Sequence, residues 1–230
     1  MPVNRQLKNV GNRGDLHKHL ALIALAEILR PYPGACHIET HSFLLHAPLP
    51  DPAAFEAALQ ALPQGPVLAR YLALQAPYLA LGAYRCSGGL ARDVLGPGTR
   101  LYLSEAHAQT RAQLLSQIHA EGAIAEVLED AAQLADLSLE PAPMLLHVDP
   151  FEHPRSIWPV VEALVKQGGP VLVLCFAWDK TGPILWPPAP AGLVLLGERP
   201  DPPYGLAAWA SPELQGAAQG ALGMLGWAYP

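Results

Sequence analysis

The sequence predicts an α/β fold built on a mostly parallel sheet, and three observations carry that reading. Helix-like and strand-like segments alternate along most of the chain, the pattern of parallel βα units. Apolar runs of strand length are bounded by Gly, Pro, Asp and Ser. Three of these runs end in carboxylates, at Glu105, at Glu129-Asp130 and at Asp149. The carboxyl edge of such a sheet is where ligands bind.

Each element has its own signal. Residues 15–30 place Leu16, Leu20, Ile23, Leu25, Ile28 and Leu29 at helical spacing, with Asp15 near the start and Pro31 just past the end. Residues 35–40 read as a strand. A Pro-rich stretch at 47–52 leads into an Ala/Leu-rich helical region reaching about residue 81. Residues 48–82 are therefore expected as a helical insertion within a single domain spanning 1–230. A Ser87-Gly88-Gly89 turn then precedes a short helix. A strand follows at 100–104, a helix at 106–119, strands at 123–127 and 144–148, a helix at 155–167 and a strand at 170–177. Two closing strands are expected at 192–196 and 222–228, with Pro-rich loops between them. No repeat of fixed period is present.

Composition narrows the class. With 230 residues the chain can bury one sizeable core. No apolar run is long enough to span a bilayer and the N-terminus lacks a signal-peptide core, so a cytoplasmic protein is expected. Cys36, Cys86 and Cys175 are widely spaced and form no Cys-x-x-Cys pair, which reads as packing. A net charge of −6 argues against a generic nucleic-acid surface, and DNA is not an expected partner. Arg5, Lys8, Arg13 and Lys18 nevertheless cluster at the start, opposed only by Asp15. That segment is either the one place where a polyanion would bind or a solvated arm.

The most informative junction is Asp149-Pro150-Phe151-Glu152, which ends the run Met144-Leu145-Leu146-His147-Val148. There an Asp and the carbonyl of the next Pro can accept hydrogen bonds from an exocyclic amino group, while the aromatic ring stacks on a flat heterocycle. Plain turn chemistry after a strand is the simpler alternative. Glu105, at the end of the second strand of a nucleotide-type sheet, suits both ribose hydroxyls, and an acid at 129–130 could receive an adenine amino group. Both could equally be acids at helix starts. His37, Glu39 and His41 alternate on one strand and offer a rival, metal-binding constellation. A single strand seldom converges three such ligands on one ion, and no metal is expected.

The motif order resembles that of the bacterial 23S ribosomal RNA adenine-N6 methyltransferases. Gly11-Asn12-Arg13-Gly14-Asp15-Leu16-His17-Lys18-His19 is similar to the amino-terminal signature of that family. The similarity continues through Glu39-Thr40-His41, Ser87 before Leu90-Ala91-Arg92, Ser104-Glu105, Glu129-Asp130 and Asp149-Pro150. Residues 47–81 and the last fifty match weakly. The resemblance implies a Rossmann-like class I methyltransferase fold using S-adenosylmethionine, with ribosomal RNA as partner. It implies cofactor contacts at Lys18, His19, His41, Ser87, Glu105 and Asp130, and a catalytic site at Asp149. There Pro150 would share the target amino group and Phe151 would stack the extruded base.

The chain also departs from that family. The first-strand loop reads Ser42-Phe43-Leu44-Leu45 instead of a glycine-containing turn, which crowds the methionine end of a cofactor pocket. The tetrad lacks a second proline, and the family's early aromatic has no counterpart near Asn4-Arg5. These departures keep open a second reading, a methyltransferase-like scaffold that no longer catalyses. Asp201-Pro202-Pro203-Tyr204 is a literal amino-methyltransferase tetrad, but it is read as a Pro-rich loop displaced from any strand end.

Overall fold

The computed structural model describes residues 5–150, 154–178, 184–201 and 204–227. The chain runs through α1 (Arg13–Leu29), β1 (Cys36–Glu39), β2 (His46–Pro48), α2 (Pro52–Gln60), α3 (Pro66–Leu79), β3 (Ala83–Arg85), α4 (Ser87–Leu95) and β4 (Arg100–Ser104). It continues through α5 (Ala108–Glu121), β5 (Ile124–Leu128), β6 (Met144–Val148), α6 (Trp158–Val165), β7 (Val171–Trp178), β8 (Val194–Asp201), β9 (Tyr204–Ala210) and α7 (Gln215–Gly223).

Seven strands form one sheet in the order β5-β4-β1-β6-β7-β9-β8. β5 through β7 are mutually parallel, and β9 is antiparallel to both of its neighbours. This is a Rossmann-like α/β fold. Strand order reverses between β1 and β6, so a ligand crevice is expected beyond their carboxyl ends. One face of the sheet is covered by α1, α4, α5 and α7, the other by α6 and the turn Ala131–Asp136. No helix among the described residues is long and apolar enough to cross a membrane.

The start of α1 is fixed by reciprocal capping. The Asn12 side chain accepts the Asp15 N–H at 2.9 Å, and Asp15 Oδ2 accepts the Gly11 N–H at 3.0 Å. Gly11 has φ +76°, and a Cβ there would meet Leu49 Cδ1 at 2.7 Å, so glycine is required. α1 is buried nearly all round, which places Lys18 and His19 inside the molecule and not on a surface arm.

Several expectations change. No strand forms over 222–227. α7 runs to Gly223, Leu225 and Trp227 pack into the core behind it, and Ala228 lies outside the described residues. The second closing strand is instead β9, whose small residues allow close pairing with β7 from Leu172↔Ala210 to Trp178↔Tyr204. β8 reaches Asp201, so the Asp201 backbone stands at a strand end, paired with Tyr204, and not in a displaced loop. Pro202 and Pro203 lie outside the described residues. Ser87, Gly88 and Gly89 form the first turn of α4 and not a turn before it.

The expected helical region at 48–82 is α2 and α3, closed at its base by the antiparallel ladder β2–β3. Phe55, Leu68 and Tyr71 of those helices are buried in the same cluster as α1. Arg85 ties β3 to the rest. Its fully buried guanidinium bridges Asp93 at 2.9 Å and Glu121 at 2.6 Å, and its backbone pairs twice with the Gln75 amide at 2.8 Å.

Candidate functional site

A cleft of about 210 Å³ opens at the carboxyl ends of β1, β6 and β7. Its lining includes Lys18 and His19 of α1, Glu39 and His41 at the end of β1, Ser87 of α4, and Asp149 and Pro150 after β6. Six of the nine residues singled out by the sequence thus meet in one place. They converge because three parallel strands end at one edge and α1 packs across that edge.

Asp149 is held by Lys18, whose Nζ lies 2.5 Å from Asp149 Oδ2 and 2.9 Å from Asp15 Oδ1. Burial alone would lower the Lys18 ammonium, but Asp149 and Asp15 overcome it and hold the group above the ordinary lysine range. Lys18 Nζ also stands 5.1 Å from the centroid of the Phe176 ring. The Lys18 charge is therefore spent inside the cleft, so the basic N-terminal cluster loses one of its four members.

Beside this pair, His19 Nδ1 lies 2.8 Å from the Tyr84 hydroxyl, which also accepts from the Tyr71 hydroxyl at 3.1 Å. Burial, then the Lys18 charge, lowers the His19 pKa well below the ordinary value, so the ring is neutral. A neutral ring is matched here by the tautomer that accepts at Nδ1, assigned from this network. His41 is likewise lowered, first by burial, and its Nδ1 lies 2.8 Å from Thr40 Oγ1.

Glu39 anchors the floor. His147 Nδ1 stands 2.8 Å from Glu39 Oε1, Ser87 Oγ donates to the same oxygen, and His37 Nε2 lies 3.7 Å from Oε2. Burial would raise this carboxyl, but the contacts from His147 and His37 hold it well below the ordinary range. The rival metal constellation dissolves accordingly, since Glu39 turns to His147 and His41 turns to Thr40. Among the described residues no three His, Cys, Asp or Glu side chains could hold a metal ion.

Glu105 and Asp130 stand at the same edge but do not line the cleft. Glu105 Oε1 accepts the His107 N–H at 2.7 Å, and burial raises its carboxyl to about 7. Asp130 caps the turn Ala131–Asp136, accepting the Ala132 N–H at 2.9 Å. Two buried polar atoms close to Glu105 lack a protein partner: its own Oε2 and Ser42 Oγ. The two residues sit at the same sheet edge, where the Ser42 N–H donates to the Ser104 carbonyl at 2.6 Å. Phe151 lies outside the described residues.

The substituted loop fills space as its side chains predict. Phe43 lines the cleft, Leu44 and Leu45 are buried, and the Leu45 carbonyl accepts the Cys86 N–H at 2.9 Å. The three cysteines are buried and free, and burial pushes the Cys36 thiol up to about 11, so they are packing residues. Sequence reasoning missed Asp15, Tyr84 and an aromatic wall of Phe176, Trp178 and Tyr204. Two signals were available: the alternation Phe176-Ala177-Trp178 at the end of a strand, and Tyr204 as the aromatic of the Asp201-Pro202-Pro203-Tyr204 tetrad, whose sequence reads as a loop.

No protein-family model matches this chain, and no curated protein matches it. Among solved structures it is similar to LPL1258 from Legionella pneumophila, assigned to family model DUF519. That protein is 19% identical over 94% of this chain and 93% of the other, with a TM-score of 0.65. The likeness is one of fold. A candidate methyltransferase from Escherichia coli, yhhF, is 18% identical over 60% of this chain and 72% of the other, with a TM-score of 0.43. A candidate rRNA methylase from Clostridium thermocellum is 11% identical over 53% and 80%, with a TM-score of 0.39.

Proposed function

We propose that this chain is an S-adenosylmethionine-dependent methyltransferase whose nucleophile is the N6 amino group of an adenine in RNA, ribosomal RNA being the partner its motif order resembles. The observation that carries the reading is the Asp149 carboxylate, fixed 2.5 Å from Lys18 beside Pro150, in a cleft next to the point where strand order reverses. A half-buried carboxylate held by a cation is preorganised to accept from an amino group.

The cofactor fits in part. Glu105 Oε2 and Ser42 Oγ are buried without a protein partner beside the end of β4, outside the cleft lining, and the two hydroxyls of a ribose reaching past that lining would supply donors. Lys18 and His41 both line the cleft that would hold the charged amino-acid end of the cofactor. When bound, the cofactor supplies an electrophilic methyl on a sulfonium.

The residues then act in order. Asp149 accepts one N–H of the target amino group and the Pro150 carbonyl accepts the other. Both hydrogens are thereby held aside and the nitrogen lone pair is aimed at the methyl carbon. Lys18 keeps the carboxylate in place through the transfer. Neutral His19, pinned by Tyr84, adds no competing charge. Lys8 remains for contact with RNA phosphate.

A second reading has its own support: Phe43, Leu44 and Leu45 crowd the loop beneath a cofactor, and the Asp130 carboxylate is already used as a cap. On that reading the protein is a scaffold without catalysis. Transfer of labelled methyl from S-adenosylmethionine to unmodified ribosomal RNA separates the two. The enzyme reading expects transfer that falls by about 100-fold or more in Asp149→Ala, and its absence in the wild type supports the scaffold.

A further inference from the structure

We infer that Tyr204, backed by Phe176 and continued by Trp178, is the stacking wall that positions the substrate base over Asp149. The ring it takes is a purine in a single-stranded segment. This rests on the reading of the cleft as a methyl-transfer site, and it transfers the stacking role from the aromatic of the Asp149 tetrad to the β7–β9 pair.

The wall is built in layers from the ion pair outward. Lys18 Nζ is 2.5 Å from Asp149 Oδ2 and 5.1 Å from the Phe176 ring centroid, so the Phe176 ring stands beside the carboxylate. Tyr204 stacks on Phe176 with centroids 5.6 Å apart and planes at 30°. Phe176 is held further by α1, because a Cβ added at Gly14 would lie only 3.2 Å from Phe176 Cζ. A clamped Phe176 fixes the tilt of Tyr204, which is the preorganisation a stacking partner needs.

Trp178 lies two residues beyond Phe176 on the same face of β7, and its backbone pairs with that of Tyr204. It is 52% exposed while lining the same cleft, so the aromatic surface runs from Phe176 beside Lys18 out to solvent. Large indoles left half in water beside an acceptor carboxylate are suited to a flat, amphipathic ring. Such a ring must leave a duplex to reach a carboxylate inside the cleft. The chain carries a net charge of −6, so outside the basic cluster near its start phosphate neutralisation supplies little and stacking supplies most of the affinity.

The test uses the full chain and a single-stranded RNA hexamer carrying one 2-aminopurine, whose emission falls when it stacks on an aromatic side chain. The wild type is expected to bind the hexamer with quenching and a shallow salt dependence. Tyr204→Ala should weaken binding by about 5- to 150-fold and remove the quenching. Tyr204→Phe should restore both, and Trp178→Ala should show a smaller loss. Equal urea midpoints for these variants keep the comparison free of misfolding. Unaltered quenching in Tyr204→Ala, or a wild type that does not quench the hexamer, overturns the proposal. Cofactor calorimetry on the same preparation separates the two readings. Hexamer stacking without cofactor binding keeps the wall and removes the methyltransferase reading, whereas cofactor binding without quenching overturns the wall alone.

Discussion

Lys18 and Asp149, 131 residues apart in sequence, meet at 2.5 Å, and the same ammonium reaches Asp15 at 2.9 Å. One cation thus joins the first turns of α1 to the carboxyl end of β6. The pair is at once a structural tie across the switch point and the means of orienting the carboxylate that the proposed chemistry uses.

Removing that cation leaves two neighbouring, half-buried carboxylates. Lys18→Met should cost about 3 kcal/mol in urea unfolding at pH 7, and Lys18→Met with Asp149→Asn should recover part of the loss. Because the Lys18 pKa is raised above its unfolded value, its contribution is fully present below about pH 10 and is lost only as pH rises beyond that. The Lys18→Met deficit should therefore be flat between pH 6 and pH 9.

Glu39 behaves in the opposite sense. Its pKa is held below the unfolded value, so its contribution is present above about pH 4.5 and disappears as pH falls through the folded value. Wild-type stability should drop across that acid range, and Glu39→Gln should show a shallower drop. Glu39→Gln is also expected to be less stable at pH 7 by about 2 kcal/mol, since His147 then faces an uncharged partner.

Glu105 supplies a third sign. Its carboxyl is raised to about 7, chiefly by burial, so the folded state holds a proton that the unfolded state releases near pH 4.3. Stability from this group falls as pH rises from about 4.5 to 7 and is level beyond. Glu105→Gln should flatten that fall and be at least as stable as wild type at pH 8. If ribose hydroxyls donate to Glu105 Oε2, they favour the ionised form, so cofactor affinity should rise between pH 5.5 and pH 7.5 in wild type and not in Glu105→Gln.

The staple at Arg85 leaves no room beside it. A Cβ at Gly89 would sit 2.5 Å from Arg85 Nε and 2.6 Å from the Leu45 carbonyl oxygen. Gly89→Ala should cost about 2–4 kcal/mol, read as a lowered urea midpoint with an unchanged m-value.

Much of the fold was legible because α1, β1, β4, α5, β5, β6, α6 and β7 carry strong local signals, and each lies within a few residues of its expected span. The end of the chain was not. β9 is rich in alanine and follows two prolines, so nothing local marks it as a strand. α7 contains three glycines and is helical because Ala218 and Leu222 are buried. At the site, the edge carrying Glu105, Asp130 and Asp149 could be read from strand ends alone. The local partners of Glu105 and Asp130, the His107 and Ala132 N–H groups two residues on, match the alternative reading of helix-start acids, whereas the Lys18 partner of Asp149 could not be read, since it is set by tertiary geometry. The aromatic wall was hidden for the same reason, because the Tyr204 ring meets Phe176 only through the antiparallel register of β9 on β7.

Calorimetric titration of the full chain with S-adenosylmethionine at pH 7.5 tests the central claim most directly. Saturable binding at one site per chain is expected, weakened in Lys18→Met and in Glu105→Gln. An absence of binding heat at millimolar cofactor, in wild-type protein that unfolds cooperatively, would contradict it.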